Sequence, residues 1–465
     1  MAARGARRAR LILHTTGPTD RPRLSAHQRV LAVGLVLGVT LVAFESTSVI
    51  TALPTITDEL GGDSLYGVTL AAYTLANLVA LVAAGRMADR RGPRPTFILA
   101  TATFLAGLFV SGFAGSMIVV VIGRLLQGAG AGGFAPIAYS LVKRAFPEER
   151  QPMMYVYLSA GWVLPSLVAP AFGGLVTDAF GWRWVFFGIV PLAVLVGVVG
   201  STPMRAYGPV DAHADDDPQR LFMAAAVAVG TGLFVLGLRA AQPAVAGVSA
   251  IAGIAIGLPA LRRLLPAGFF HARRGQPAVL TCRLLATATF MGVDGFVPLA
   301  ADRIHGASPI VQGFTIIGAA LTWTTGQAII ARRTEVSPAA AVRIGFSLLF
   351  CGVALVSPVL VASWPLWATF LGWAVGGLGM GMLYNPTTVA AMSYADEGRE
   401  GTISSQVQLV DALGFSLMGG IGGAVVAYAD RNGGDLRGAL GVSFALAATF
   451  AVVGFVASRG VRRAD

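Results

Sequence analysis

Long apolar runs, separated by short polar or charged segments, recur fourteen times along the chain. Each run has about 20 mostly uncharged residues, the length that a helix needs to cross the hydrocarbon core of a bilayer. The predicted spans are residues 30–53, 65–84, 95–114, 116–140, 152–176, 183–202, 221–240, 243–261, 278–300, 309–330, 338–361, 364–388, 403–428 and 437–458. The pattern therefore predicts an all-α polytopic membrane protein with 14 transmembrane helices.

The spans fall into groups of six, two and six. An acidic polar linker, 205–220, follows the sixth span, and a basic loop, 269–277, follows the eighth. Two six-helix bundles that face each other are a common transporter plan, with the substrate site between them near the midplane. The predicted segments are a cytoplasmic basic tail (1–29), an N-terminal six-helix bundle (30–203), a linker with two inserted helices (204–276), a pseudo-symmetric C-terminal six-helix bundle (277–458) and a cytoplasmic tail (459–465).

The formal net charge of +11 reflects topology rather than an anionic partner. Only 12% of residues are charged, about half the share in a soluble domain, and the basic residues sit in short stretches between spans. Nucleic acid is therefore not an expected partner; the lipid bilayer is.

We assign 28 of the 34 Lys and Arg residues to cytoplasmic segments or their helix ends. The positive-inside rule then predicts a multi-pass protein of the cell membrane with both termini cytoplasmic. The outer basic residues are Arg183, Arg239, Arg303, Arg431 and Arg437.

Several classes of chemistry are excluded by the residues that the chain lacks. The only lysine, Lys143, is in LVKRAF and not in a phosphate-binding loop, and the cysteines, Cys282 and Cys351, are far apart in apolar stretches. We predict no enzyme activity, no cofactor and no metal site. Energy must then come from an ion gradient or a partner subunit, and since a six-plus-six core needs no partner to form a cavity, we expect a monomer.

Coupling to protons requires a side chain that titrates within the membrane, and carboxylates are the available candidates. All five histidines fall in tails or loops, whereas Glu45, Asp294 and Asp411 lie within apolar spans. At 1.5 Å per residue, Glu45, Arg124 and Asp294 lie about 13, 12 and 10 Å below the outer ends of their spans. Glu45 beside Arg124 can either exchange a proton, so that cargo and protons compete for one charge, or form a permanent structural pair.

The other two acids leave alternatives open. Asp294 is a candidate for ion coupling or for cation binding, because a charge at that depth is costly. Asp411 has Gln408 one turn away, and it can serve either coupling or a hydrogen bond that holds two helices together. Sodium can replace the proton at any of these acids.

A charged loop between spans two and three carries a recognisable pattern. It reads GRMADRRGPRP at 85–95. A basic loop of this kind would follow from the positive-inside rule alone. Its full pattern resembles the loop signature of the major facilitator superfamily, through Gly85, Asp89, Arg90, Arg91, Gly92 and Arg94. That resemblance implies that the loop latches one conformation of an alternating cycle.

Three further stretches resemble the fourteen-span drug:proton antiporter branch of that superfamily. FESTSVITALP, at 44–54, is similar to its first-span motif, with Glu45 in place of Asp; GRLLQGAGAGG, at 123–133, is similar through Arg124, Gln127 and Gly128. GWVLPSLVAPAFGG, at 161–174, is similar to its antiporter motif, although Ala169 replaces a Gly. Its small or helix-bending residues are Gly161, Pro165, Pro170, Gly173 and Gly174. The C-terminal half carries only a degraded loop, 326–333.

The glycines and prolines of the fifth span have two interpretations. Its glycines allow close helix contact, and each proline removes an intrahelical hydrogen bond. The resemblance implies that this helix controls leakage and exchange; a merely close-packed helix has the same composition. Trp162, Tyr155, Tyr157 and Phe134 are candidates for an aromatic cavity wall.

These observations favour a proton-coupled secondary exporter of an amphipathic or cationic small molecule that works by alternating access. A lipid or metabolite exporter and an uptake symporter are rivals on the same scaffold. A non-transporting membrane sensor or scaffold would tolerate neutralisation of Glu45, Arg124 and Asp294. The membrane half of an ATP-driven pump would need a separate nucleotide-binding subunit.

Overall fold

The computed structural model describes residues 24–464 except 62–64, 210–218, 239, 241 and 334. The predicted tail before residue 24, most of the acidic linker and Arg239 lie outside these residues. The described ranges contain helices and turns without a strand. The α-helices are α1 Ala26–Leu60, α2 Tyr66–Arg91, α3 Pro93–Gly112, α4 Met117–Ala145, α5 Gln151–Phe180, α6 Arg183–Ser201, α7 Gln219–Gly237, α8 Pro243–Leu264, α9 Gln276–Asp294, α10 Val297–His305, α11 Pro309–Arg332, α12 Pro338–Val356, α13 Leu366–Ser393, α14 Glu400–Arg431 and α15 Leu436–Ala457.

The helices confirm the all-α membrane architecture. Within the described ranges, thirteen segments are helical, long and apolar enough to cross a membrane. The remaining predicted span, 152–176, coincides with α5, in which the side chains of four residues are not described.

The ninth predicted span consists of two helices instead of one. The break at Gly295–Phe296 has a local cause: Pro298 has no N–H to donate to the carbonyl of Asp294, and its ring displaces that carbonyl. Asp294 is therefore the last residue of α9.

Close backbone contacts repeat in the two bundles. In the first, α4 presses against α2, and a Cβ on Gly128 would collide with the Tyr73 carbonyl; in the second, α13 presses against α11, and a Cβ on Gly381 would collide with the Trp323 carbonyl. Glycine permits both contacts because it has no side chain to displace. Since Tyr73 and Trp323 both line the cavity described below, these contacts hold cavity-lining residues in place.

The two bundles meet along two seams. At one seam α14 packs on α2 and α4, and at the other α11 and α13 pack on α5. The inserted pair, α7 and α8, packs closely on itself, where the backbone of Gly230 approaches that of Gly253. The α7 helix also lies along the first seam and contacts Leu75 of α2 and Gly420 of α14 through Gly232 and Val235.

We call the end of the molecule that carries residues 85–95 the basic end, and the opposite end the far end. The basic end also holds the starts of α1 and α14, as the bonds from Gln28 Nε2 to the Ala145 carbonyl (2.7 Å) and from the Gly401 amide to Asp89 Oδ1 (2.7 Å) show. At the far end, Glu59 accepts bonds from Trp182 and Arg183.

Candidate functional site

A cavity of about 810 Å³ lies between the two bundles, and residues of both line it. Its volume is within the usual range for sites that bind drug-sized molecules. Its walls are mostly apolar and aromatic, and two of the three intramembrane acids, Asp294 and Asp411, reach them. An amphipathic molecule fits such a cavity because few polar groups there need partners.

The first buried ion pair joins α1 to α4. Arg124 Nη1 donates to Glu45 Oε1 and, at 2.7 Å, to Gln127 Oε1, and Gln127 Nε2 donates to Ser111 Oγ at 3.3 Å. The Arg124 guanidinium lies 4.2 Å from the centroid of the Tyr73 ring. The structure thus brings together Glu45, Arg124 and Gln127, which belong to two separate sequence motifs.

This pair does not reach the cavity. Glu45 and Arg124 are completely buried, whereas their neighbours Ser46 and Tyr73 line the cavity wall. Tyr73 lies between the cavity and the guanidinium. Cargo in the cavity therefore cannot contact the Glu45 carboxylate in this conformation.

A second buried ion pair joins α9 to α14. Arg283 forms a bidentate pair with Asp411, from Nε to Oδ1 at 2.7 Å and from Nη2 to Oδ2 at 2.8 Å. Its Nη1 donates to the Tyr384 carbonyl and to Thr388 Oγ1, and the Tyr384 hydroxyl donates to Asp411 Oδ2 at 2.9 Å. Asp411 thus bonds to residues of α9 and α13, and it also lines the cavity.

Arg283 is the residue that our sequence reasoning missed. We placed it among the cytoplasmic helix ends, which is wrong, because it is 1% exposed and fully paired inside the C-terminal bundle. The available signal was its position five residues inside the predicted span 278–300, where a charge is costly.

Asp294 differs from the other two acids in having no arginine. Its Oδ1 accepts a hydrogen bond of 2.7 Å from Trp373 Nε1, and its carboxylate is partly exposed to the cavity. It lies in the C-terminal bundle, as does Asp411.

The charged loop contacts the opposite bundle at the basic end. Asp89 accepts hydrogen bonds from the amides of Gly401 and Thr402, at 2.7 and 2.9 Å, and from Thr402 Oγ1 at 3.0 Å. These amides belong to the first turn of α14, where the helix dipole favours a negative charge. A Cβ on Gly85 would collide with the Gly401 carbonyl, so this contact requires glycine.

The arginines of the loop differ from Asp89 in exposure. Arg90 and Arg91 are exposed and Arg94 is half-buried. Gly92 has a φ of 88°, which favours glycine, and it makes the turn into α3.

The α5 helix packs through the glycines of its motif. A Cβ on Gly161 would lie 3.1 Å from Thr40 Oγ1, and one on Gly173 would lie 2.6 Å from the Ser48 carbonyl, so both face α1. Gly174 faces open space and Pro165 is buried. The helix is continuous despite its prolines. The side chain of Pro170 lies outside the described residues.

The basic-end half of α5 also bonds to the C-terminal bundle. Ser159 Oγ accepts a hydrogen bond from Gln327 Nε2, and the Pro152 carbonyl accepts one from Asn385 Nδ2, both at 2.7 Å. Together with Asp89, these bonds join the two bundles on the basic-end side of the cavity. The degraded loop 326–333 thus contributes Gln327 to this closure.

The four candidate aromatic residues have different positions. Phe134 and Trp162 line the cavity. Tyr155 is buried against Tyr139, with ring centroids 5.1 Å apart, and Tyr157 faces a separate groove between α1 and α5. The C-terminal bundle contributes as many aromatic residues to the cavity wall as the N-terminal bundle, and Phe290 and Trp323 are among them.

Comparison with known proteins agrees with this architecture. A family model described as Major Facilitator Superfamily matches residues 35–419. A probable multidrug-efflux transporter of Mycobacterium tuberculosis is 27% identical over 452 residues, covering 92% of this chain and 94% of the relative. Multidrug resistance protein 3 of Bacillus subtilis is 25% identical over 411 residues, covering 84% of this chain and 78% of the relative.

The fold also matches a solved structure. The crystal structure of the human organic anion transporter MFSD10 aligns with a TM-score of 0.70 at 14% identity, covering 94% of this chain and all of that one. At this identity the match concerns the fold alone.

Proposed function

Because the chain belongs to the Major Facilitator Superfamily, whose members transport small molecules across membranes, we propose that it is a proton-coupled exporter of an amphipathic or cationic small molecule that works by alternating access. The two relatives described above carry the names of multidrug-efflux and multidrug-resistance proteins, which supports efflux as the direction. The basic residues at the basic end support its assignment to the cytoplasm.

One observation carries the proposal: the cavity between the bundles is bounded at one end by contacts that alternation must break. The bonds of Asp89 to Gly401 and Thr402, of Gln327 to Ser159 and of Asn385 to Pro152 all lie at the basic end. Under the proposed orientation this conformation is closed to the cytoplasm. When the cavity opens to the cytoplasm, Asp89 would separate from α14 and the cavity would be exposed to cytoplasmic cargo.

The Arg283–Asp411 pair is the proposed coupling site. Asp411 lines the cavity, so water in the cavity can deliver a proton to it in this conformation. Protonation would remove one charge of the bidentate pair and weaken its link between α9 and α14. A proton bound from outside and released to the cytoplasm would complete an antiport cycle, with Glu45 as a second, sealed site.

The test is transport by the full chain in liposomes with an imposed pH gradient. We expect proton flux to rise on addition of lipophilic cations, and we expect Asp411→Asn to abolish the rise. Glu59→Gln is a matched control, because Glu59 is a surface acid at the far end that pairs with Arg183 outside the cavity. Flux that survives both Asp411→Asn and Glu45→Gln would contradict coupling at these pairs. The absence of flux with any cation would redirect the search to a lipid or metabolite cargo.

A further inference from the structure

Asp294 is a cavity acid without a cationic partner. Glu45 and Asp411 each have an arginine, but in the described part of the chain no Lys, Arg or His lies within ion-pair distance of Asp294. Trp373 Nε1 binds only one carboxylate oxygen. A negative charge at this depth needs compensation, and the second oxygen is available to a group that enters the cavity.

Aromatic rings line the same part of the cavity. Phe290 is one helical turn before Asp294, and both line the cavity together with Trp323. The Phe290 centroid lies 5.0 Å from that of Trp323 and 5.1 Å from that of Trp373, against which it stacks. Aromatic rings attract organic cations over their faces, most strongly where water is excluded.

A helix break lies at the same position. The α9 helix stops at Asp294 because of Pro298, and α10 begins at Val297, so the negative end of one dipole and the positive end of the next lie close together and leave the Asp294 carboxylate as the main negative charge. The charge and the rings favour a cation. Asp294 lies about three helical turns from Arg283 along α9, although Trp323 packs against Tyr384 of the Arg283–Asp411 pair, with ring centroids 5.1 Å apart.

We propose that Asp294, Phe290 and Trp323 form a subsite for the charged head of a monovalent organic cation, such as a substituted ammonium group. This inference rests on the proposed function, because it makes the cavity the route of the cargo. It also separates the two tasks of the protein: the cargo cation pairs with Asp294, while protons act at the arginine-paired acids. Cargo and protons then do not compete for one carboxylate.

The test is binding to the purified full chain in detergent, measured by calorimetry. The probes are a naphthylmethyl-trimethylammonium ion and its neutral isostere, in which carbon replaces the nitrogen. We expect the wild type to bind the cation at least about tenfold more tightly than the isostere. In Asp294→Asn this ratio should fall to near one, while the affinity for the isostere stays unchanged.

Asp302→Asn is the matched control, because it removes a half-buried acid eight residues away at the far end. It should keep the wild-type ratio. A preference for the cation that persists in Asp294→Asn, or that falls equally in Asp302→Asn, would overturn the subsite. If Asp294→Asn binds neither probe, the test uses Asp294→Glu, which keeps the negative charge. A preference of Asp294→Glu for the cation over the isostere supports the subsite, and the loss of that preference overturns it.

The two proposals can fail separately. A wild type that prefers the cation through Asp294 but shows no pH-driven flux would uphold the subsite and overturn proton coupling. Coupled flux without any preference for the cation would uphold coupling and overturn the subsite.

Discussion

The two bundles each contain a buried arginine, a carboxylate and a tyrosine ring, but they arrange them differently. In the N-terminal bundle Arg124 lies over Tyr73, and Glu45 is sealed behind that ring. In the C-terminal bundle Arg283 lies over Tyr384, and Asp411 reaches the cavity. The same residue types therefore form one closed pair and one open pair.

This difference shows that two ion pairs of the same charge can differ in their access to water. A sealed pair can change protonation only if the bundle opens, whereas an open pair can exchange protons with cavity water in the conformation described here. The N-terminal pair carries the family motifs, yet the C-terminal pair is better placed to couple a proton to cargo. A ranking of coupling sites by burial alone would have placed the N-terminal pair first, because it is the more deeply buried of the two.

The largest expected effect comes from removing each arginine in turn. Arg124→Met leaves the Glu45 carboxylate buried without a partner or water, so we expect a loss of about 3–5 kcal/mol in unfolding free energy. Arg283→Met leaves Asp411 with the Tyr384 hydroxyl and cavity water, so its loss should be clearly smaller. Thermal and denaturant unfolding of the full chain in detergent measures both.

A double variant provides the control for this comparison. Adding Glu45→Gln to Arg124→Met removes the unpaired charge and should recover most of the lost stability. Equal losses for Arg124→Met and Arg283→Met would show that the two carboxylates have the same access to water.

The sequence alone was sufficient for the fold and for one of the two pairs. Runs of about 20 apolar residues require spanning helices whatever their neighbours are, because backbone groups in lipid must be bonded within the helix. Glu45 and Arg124 were predictable as neighbours because both carry family motifs and lie at similar depths.

The C-terminal site was not predictable in the same way. Arg283 is near a helix end in sequence, and only packing shows that it turns inward toward Asp411 and not outward to the basic end. The break after Asp294 depends on one proline inside an otherwise apolar run. The side that Arg283 faces is set by contacts between helices, whereas Pro298 by itself accounts for the break but leaves the run apolar.

A second experiment sharpens the contrast in access without removing any of the four charged residues. Gln127 is completely buried next to Arg124, and Gln408 lines the cavity one turn before Asp411. In a background in which Cys282 and Cys351 are replaced by alanine, Gln408→Cys should react with a small neutral methanethiosulfonate much faster than Gln127→Cys. An opening free energy of about 1.4 kcal/mol for the sealed site is enough for a tenfold difference. Similar rates would remove the distinction between open and sealed pairs.

The smallest expected effect is that of Tyr73→Phe, which is compared with Tyr384→Phe. The Tyr384 hydroxyl donates to Asp411, so Tyr384→Phe removes a bond to a charged group and should cost about 1.5–3 kcal/mol. The Tyr73 hydroxyl bonds neither member of its pair, and Tyr73→Phe keeps the ring that covers Arg124, so its effect should stay within about 0.5 kcal/mol. Unfolding of the two variants side by side measures the difference. If Tyr73→Phe were the more costly, its hydroxyl would take part in the sealed pair, and the two bundles would be more alike than their contacts indicate.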